Sequence, residues 1–515
     1  MKRVSVLLLA CVFAEQMASA ADISGRVVDA ATGEPIPRAR VAIHVLVNGA
    51  EPNGVTLLTD ATGAFRVSNL PDGNCQLSGE KTGYLGASLM FSGDFKSTPV
   101  VLRMTRQAVI EGSVVDEKGR GVPSASVQVF RQVVASGRLQ IQPSNGAQTD
   151  ETGEFRIFGV AAGRYYIGAT AQTRRPTKLA YAPILYPDAT DISGAQVIDL
   201  QPGTEEHVKI SLRAVPAHRV RGMMADGQSA NIALYPEESR RFPVMFNPTA
   251  SWDEKTKTFT ISGVPPGRYV LQGTAQIDGR QQRVRKTISV DDADLEGILL
   301  EPASPPEVTG RVTKDGKAAK RGEVSDIQLR SLRAQFAAQI EDNGSFHFSD
   351  LLPDSYHVVV VPTGSAYVQS IRQSGRDVER DGIVIGQFPP DPLEINISSH
   401  GGTIDGVIAV PGSHTDAAIV GLFRSIGGEL VFDKQTQVRG LVTAASPPGT
   451  RSARFRIQGV APGEYVLLAW PADAQIEYAE PDFMCQYSAG GKTVRVTEDS
   501  LVSVILDGLL PIMDR

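Results

Sequence analysis

Five segments of the chain align without a gap on one pattern: a phenylalanine, then a tyrosine or cysteine ten positions later. The pairs are Phe65 and Cys75, Phe155 and Tyr165, Phe259 and Tyr269, Phe346 and Tyr356, and Phe455 and Tyr465. Apolar residues also stand two positions after each member, as Val67 and Leu77 in the first copy and Ile457 and Leu467 in the last. A period of two marks half-buried strands, whose side chains alternate between faces. A leucine or valine at offset five and a glycine at offset eight, Asp354 in the fourth copy, mark a tight connection. The pattern predicts a β-hairpin unit repeated five times, with these ten paired residues in the core.

A second element lies upstream of each pair: Ile23-Ser-Gly25, Ile110-Glu-Gly112, Val220-Arg-Gly222, Val308-Thr-Gly310 and Ile404-Asp-Gly406, each continuing in alternation. An apolar strand closes each unit, at 100–104, 208–212, 298–300, 393–397 and 502–506. The 50 glycines and 32 prolines among 515 residues suit many turns and short strands better than long helices. We therefore expect an all-β chain, a tandem array of five small antiparallel β-sandwiches at 21–106, 107–215, 216–303, 304–399 and 400–515. Asp326 to Ile340 carries helical as well as alternating spacing, and its place in the repeat predicts strand.

Lys2 and Arg3, the apolar run Val4 to Ala14 and the small residues Ala18-Ser19-Ala20 predict a signal peptide at 1–20 with cleavage after Ala20. The mature chain is then extracytoplasmic, periplasmic or secreted, and no later run reaches the ~18 apolar residues of a membrane helix. Lipidation at Cys11 is the less favoured alternative, because it leaves only Val4 to Ala10 as apolar core. Cys75 and Cys485 lie 410 positions apart and are expected to be unpaired. A net charge of −6 argues against nucleic acid, which demands a basic surface.

The run Ile23-Ser-Gly-Arg-Val-Val-Asp29, followed by Gly33-Glu-Pro-Ile-Pro37, Thr59-Asp-Ala-Thr-Gly-Ala-Phe65 and Gly83-Tyr84, resembles the carboxypeptidase regulatory-like domain. The second copy resembles it nearly as well, through Gly121-Val-Pro123 and Thr149-Asp-Glu-Thr-Gly-Glu-Phe155. The resemblance implies a transthyretin-like, prealbumin-type sandwich, grouped with starch-binding-like and carbohydrate-binding folds, in a multi-copy secreted bacterial protein. In metallocarboxypeptidases this domain is an accessory, so the resemblance brings no enzyme with it.

Asp60, Asp150 and Asp342-Asn-Gly344 stand in loops with too few carboxylates for calcium, and read as turn caps. His347 and His357, at offsets one and eleven, are expected on one outward face of neighbouring strands, without a third metal ligand. Cys75 replaces the tyrosine of the other copies and is expected to point inward. No nucleophile elbow, phosphate loop or zinc-peptidase pair is present among the motifs. The expectation is a non-enzymatic chain with neither cofactor nor metal. Exposed aromatic rings stack on sugar faces, and Trp252, Trp470, Tyr478, Tyr487, Tyr181 and Tyr186 lie outside the repeat pattern. They are the candidate contacts for a carbohydrate or cell-envelope glycan. The alternative is a structural spacer or adhesion stalk that meets other envelope proteins.

Overall fold

The computed structural model describes residues 21–512, other than 47–52, 71–73, 92–98, 136, 172–177, 226–229, 238–247, 249, 278–279, 302–305, 332–333, 387–389, 412–416, 440–441, 444–449 and 473. The signal-peptide reading, with Cys11, lies outside the described residues. The chain gathers into two compact units: residues 1–131, 144–169 and 184–212 in the first, and 132–143, 170–183 and 213–515 in the second.

In the first unit, strand Ala21–Asp29 is flanked by Ala64–Leu70, antiparallel, and by Val100–Met104, parallel. A second sheet carries Asn53–Leu58, Arg40–Leu46, Asn74–Glu80 and Ala87–Phe91 in that order. Ile23, Val27, Phe65 and Leu102 from the first sheet pack against Val41, Ile43, Cys75 and Leu77 from the second, which is a β-sandwich core. The same arrangement recurs with Ala108–Val115 between Glu154–Val160 and Glu205–Ser211.

In the second unit the opening strands are His218–Met224, Val308–Lys314 and Gly402–Pro411, each with an antiparallel and a parallel neighbour. Each again helps to build a core shared by two sheets. The architecture is all-β, made of small and mainly antiparallel sheets. The parallel contact between the opening and closing strands is a feature that alternation alone does not reveal.

The repeat has a physical explanation in cross-strand pairing. Gly25, Gly112, Gly222, Gly310 and Gly406 stand directly opposite Phe65, Phe155, Phe259, Phe346 and Phe455. A methyl carbon placed on Gly25 or Gly222 would lie 2.6 Å from the Cζ of its phenylalanine, and the contact is closer still at Gly310 and Gly406. The ring lies across the bare backbone, which is why the opening strand needs glycine there. The parallel closing strand crowds the same carbon: at Gly25 and Gly222 the carbonyl oxygens of Val100 and Ile298 are nearer still than the ring, and at Gly112 the nearest atoms all belong to Val208.

The hairpin expectation needs correcting. The phenylalanine strand and the tyrosine strand of each copy belong to different sheets, so the short connection between them is an arch across the sandwich. Alternation reports which side chains point inward, but it is silent on which backbone bonds to which. The tyrosine closes this arch in four copies. Tyr165, Tyr269, Tyr356 and Tyr465 each donate their hydroxyl to the carbonyl four residues earlier, at 2.8 Å. Burial pushes the Tyr465 phenol up to about 12, so this donor keeps its proton. Cys75 fills the corresponding place in the first copy as a fully buried thiol. His347 and His357 consequently lie on different sheets rather than neighbouring strands, and both are exposed. Strands Val324–Arg330 and Gln335–Ala338 occupy most of the stretch whose spacing was also helical.

Candidate functional site

Three of the six candidate aromatics come together in the fifth segment, in a second apolar layer outside the sandwich core. Strand Gly463–Pro471 is buried on both faces. Tyr465, Leu467 and Ala469 enter the core, while Val466, Leu468 and Trp470 face the second layer. A four-residue helix Pro481–Met484 and a 3-10 turn Cys485–Gly490 cover that layer with Phe483, Met484 and Tyr487. Trp470 meets Tyr487 edge-to-face at 5.4 Å and Phe423 at 6.1 Å. Tyr478 lies over Phe432 at 4.2 Å. Trp470 and Tyr487 are each only 2% exposed and present no ring face to a ligand. The uninterrupted apolar run Tyr465-Val-Leu-Leu-Ala-Trp470 is the signal for a strand buried on both sides, and it outweighs the loop-aromatic reading.

Residues 132–143 of the same unit contact the edge of this layer. The Val134 amide donates to Gln475 Oε1 at 2.9 Å, and the Ala479 amide donates to the Gly137 carbonyl at 2.9 Å. Arg138 and Glu480 approach to 3.7 Å. Gly137 has a φ of 72°, and any side chain there would collide with the Tyr478 ring. The aromatic layer is an internal contact surface.

The other candidates are separate. Trp252 is half-buried, stands opposite Phe259 and packs against its own sandwich core. Tyr181 is half-buried in strand Leu179–Tyr181, paired with Ala214–Pro216. Tyr186 belongs to the first unit, is half-buried, and accepts at its carbonyl from the Gln196 amide at 2.9 Å.

Among the described residues, no group of three His, Cys, Asp or Glu is placed to hold a metal ion. Asp60 Oδ1 accepts from the Thr62 amide, the Thr62 hydroxyl and the Ala64 amide, at 2.8, 2.8 and 2.9 Å. Asp150 does the same for Thr152 and Glu154, and Asn343 for Ser345. These oxygens are consumed by their own turns. Cys75 and Cys485 are both free thiols, and burial pushes Cys75 upward. Cys485 is exposed, with its thiol donating to the Asp482 carbonyl.

Two joints between consecutive sandwiches carry polar networks that no local pattern announced. In the first unit, Asp29 is 2% exposed and Arg106 Nε donates to its Oδ2 at 2.8 Å. The Tyr84 hydroxyl donates to the same oxygen at 3.1 Å, and the Ala31 and Thr32 amides donate to Oδ1. The Arg106 hydrogen bond, helped by the two amides and Tyr84 against the cost of burial, holds the Asp29 carboxyl down at about 2. Backbone bonds Leu85 to Thr105 and Gln107 to Gly83 bracket the pair. In the second unit, Asp315 accepts the Ser399 amide at 3.0 Å and its hydroxyl at 2.6 Å, while His400 Nδ1 lies 2.8 Å from Asp499.

The geometry defines a protein of small β-sandwiches linked by bonded joints. Residues 22–101 and 109–213 match the carboxypeptidase regulatory-like domain family, and these two segments are domains of that type. A search of the curated proteins returns no match. Among solved structures, similarity extends to the minor pilin GBS52 of Streptococcus agalactiae, at 13% identity over 38% of this chain and 97% of that one, with a TM-score of 0.23. A streptococcal ancillary pilin is 14% identical over 55% of this chain and 99% of its own, with a TM-score of 0.20. The Bacillus anthracis TIE protein is 10% identical over 95% of this chain and 74% of its own, with a TM-score of 0.17. At such scores nothing about function is carried across. Among the described residues, no helix is long and apolar enough to cross a membrane.

Proposed function

We propose that the chain is a non-catalytic, extracytoplasmic structural protein: five sandwiches, bounded near 106, 215, 303 and 399, that hold surfaces for contact with other envelope proteins. The observation that carries this reading is the bonded joint at 105–107. Asp29, Tyr84 and Arg106, with the Gly83 and Leu85 backbone, tie all of 105–107, the stretch between the strands ending at 104 and starting at 108, to the first sandwich. A protein whose task is to hold positions gains from such joints, whereas a string of independent binding modules gains from flexible ones. Nitroxide labels at Thr62 and Lys118, in a Cys485→Ser background without residues 1–20, test it by pulsed dipolar spectroscopy. A single narrow distance distribution is expected, and a broad one overturns the reading.

Carbohydrate binding is the second reading, supported by the partial exposure of Trp252, Tyr181 and Tyr186. A glycan array probed with the native chain and Trp252→Ala tests it, with loss of a retained glycan as the expected result.

A further inference from the structure

On the first sandwich, a surface cleft of about 400 Å³ is lined by Arg38, Arg40, Lys81, Thr82 and Tyr84, with Glu80 as the acid of its wall. Its residues come from two neighbouring stretches. Arg40 and Glu80 are cross-strand partners on Arg40–Leu46 and Asn74–Glu80, and the chain after Glu80 brings Lys81, Thr82 and Tyr84 to the same rim. Lys81 Nζ donates to the Arg38 carbonyl at 3.4 Å, which ties the two cationic segments together.

The charge balance of this cleft is opposite to that of the chain. Three cations face one carboxylate, in a protein whose net charge is −6. Arg40 and Glu80 approach only to 3.7 Å, and both are mostly exposed. Among the described residues neither Arg38 nor Lys81 has an ion-pair partner. The Tyr84 ring is fixed: it is half-buried against the sandwich core, its hydroxyl is committed to Asp29, and Arg106 lies over the ring at 5.8 Å from the centroid. Asp29 is already saturated by Arg106, so its charge does not cancel the three cations.

We propose that this cleft binds an acidic saccharide, with the carboxylate of a hexuronate on Arg38, Arg40 and Lys81 and its sugar ring against Tyr84. Guanidinium groups hold carboxylates through paired, charge-assisted hydrogen bonds, and an aromatic face accepts the C–H face of a sugar. The Thr82 hydroxyl supplies a partner for a ring hydroxyl. This gives the second functional reading a ligand class, at a place separate from Trp252, Tyr181 and Tyr186. Neither the structural reading nor those three residues are needed for it.

Calorimetric titration of the chain lacking residues 1–20 with digalacturonate, galactobiose and sodium sulfate tests the proposal, with thermal melting of each variant as the check on folding. Digalacturonate is expected to bind at least tenfold more tightly than either of the others, and binding should weaken as salt is raised. Arg40→Gln and Lys81→Gln should each lose about tenfold. Equal affinity for galactobiose, equal affinity for sulfate alone, absence of binding by the native chain, or unchanged binding in both cation variants overturns it. Loss in Trp252→Ala with Arg40→Gln unaffected also overturns it, and moves the ligand to the third sandwich.

Discussion

The joint at 105–107 and the joint at 398–401 solve one problem with different chemistry. In each, an aspartate at the end of an opening strand, Asp29 or Asp315, receives the chain as it leaves the sandwich. Asp29 is buried and takes a guanidinium, a phenol and two amides. Asp315 is exposed and takes only the amide and hydroxyl of Ser399, with His400 and Asp499 beside it. A buried carboxylate with every oxygen bonded is costly to disturb, because any lost partner leaves a desolvated charge. An exposed one recovers its bonds from water. The first joint should therefore act as part of a core, and the second as a surface clasp.

The largest expected difference follows from removing each aspartate. Asp29→Ala should destabilise the first unit by about 2–4 kcal/mol, since it strips one partner each from Arg106, Tyr84 and two turn amides. Asp315→Ala should change stability far less. Denaturant unfolding, followed by hydrogen exchange of peptides spanning 83–109 and 396–403, separates the two. Equal effects would remove the distinction between core and clasp.

Acid should break the first joint next. A carboxyl held at about 2 against an ordinary 3.8 contributes stability that is whole above 3.8 and is lost as pH falls through about 2. The groups facing it are Arg106, which stays charged, and Tyr84, whose phenol is pushed up by burial and by Asp29. Pepsin cleavage within 100–109 should stay slow at pH 4 and accelerate toward pH 2. Relative to pepsin's own rate on an unfolded substrate at each pH, Asp29→Asn should cleave at one faster rate across that window, and a parallel rise in native and variant would refute the assignment.

The ten core positions and the all-β class were legible because both rest on short-range alternation, and five copies repeat it. Glycine in the opening strand was legible as a motif, although its reason was not: Gly25 and Phe65 are 40 positions apart and meet only through pairing. The arch between sheets escaped detection for the same reason, since a strand's partner is set by topology that its own side chains do not encode. Trp470, Tyr478 and Tyr487 stood among six candidate surface aromatics, and their common layer was hidden because the cover at 481–490 is too short to show a helical period. Asp29 and Arg106 are 77 positions apart, and neither charge differs locally from the many solvated ones. The cationic cleft is the same case, with Arg38 and Lys81 brought together by strand pairing.

The smallest effect should lie at His400, and its sign is opposite. Asp499 raises the His400 imidazole above its ordinary 6.5 through a hydrogen bond and its charge, with Asp315 and Glu498 adding attraction against slight desolvation. A raised base contributes stability that is whole below 6.5 and is lost as pH rises through the higher folded value. The clasp at 398–401 should therefore loosen on the alkaline side, while the joint at 105–107 is unaffected there. Both partners are exposed, so the change should be a modest rise in exchange of the 396–403 peptide between pH 6 and 9, after correction for intrinsic rate. His400→Gln should remove the pH dependence and leave the 83–109 peptide unchanged. Loosening of both joints together on the alkaline side would show that they are coupled through the chain, and that the two aspartates do not act locally.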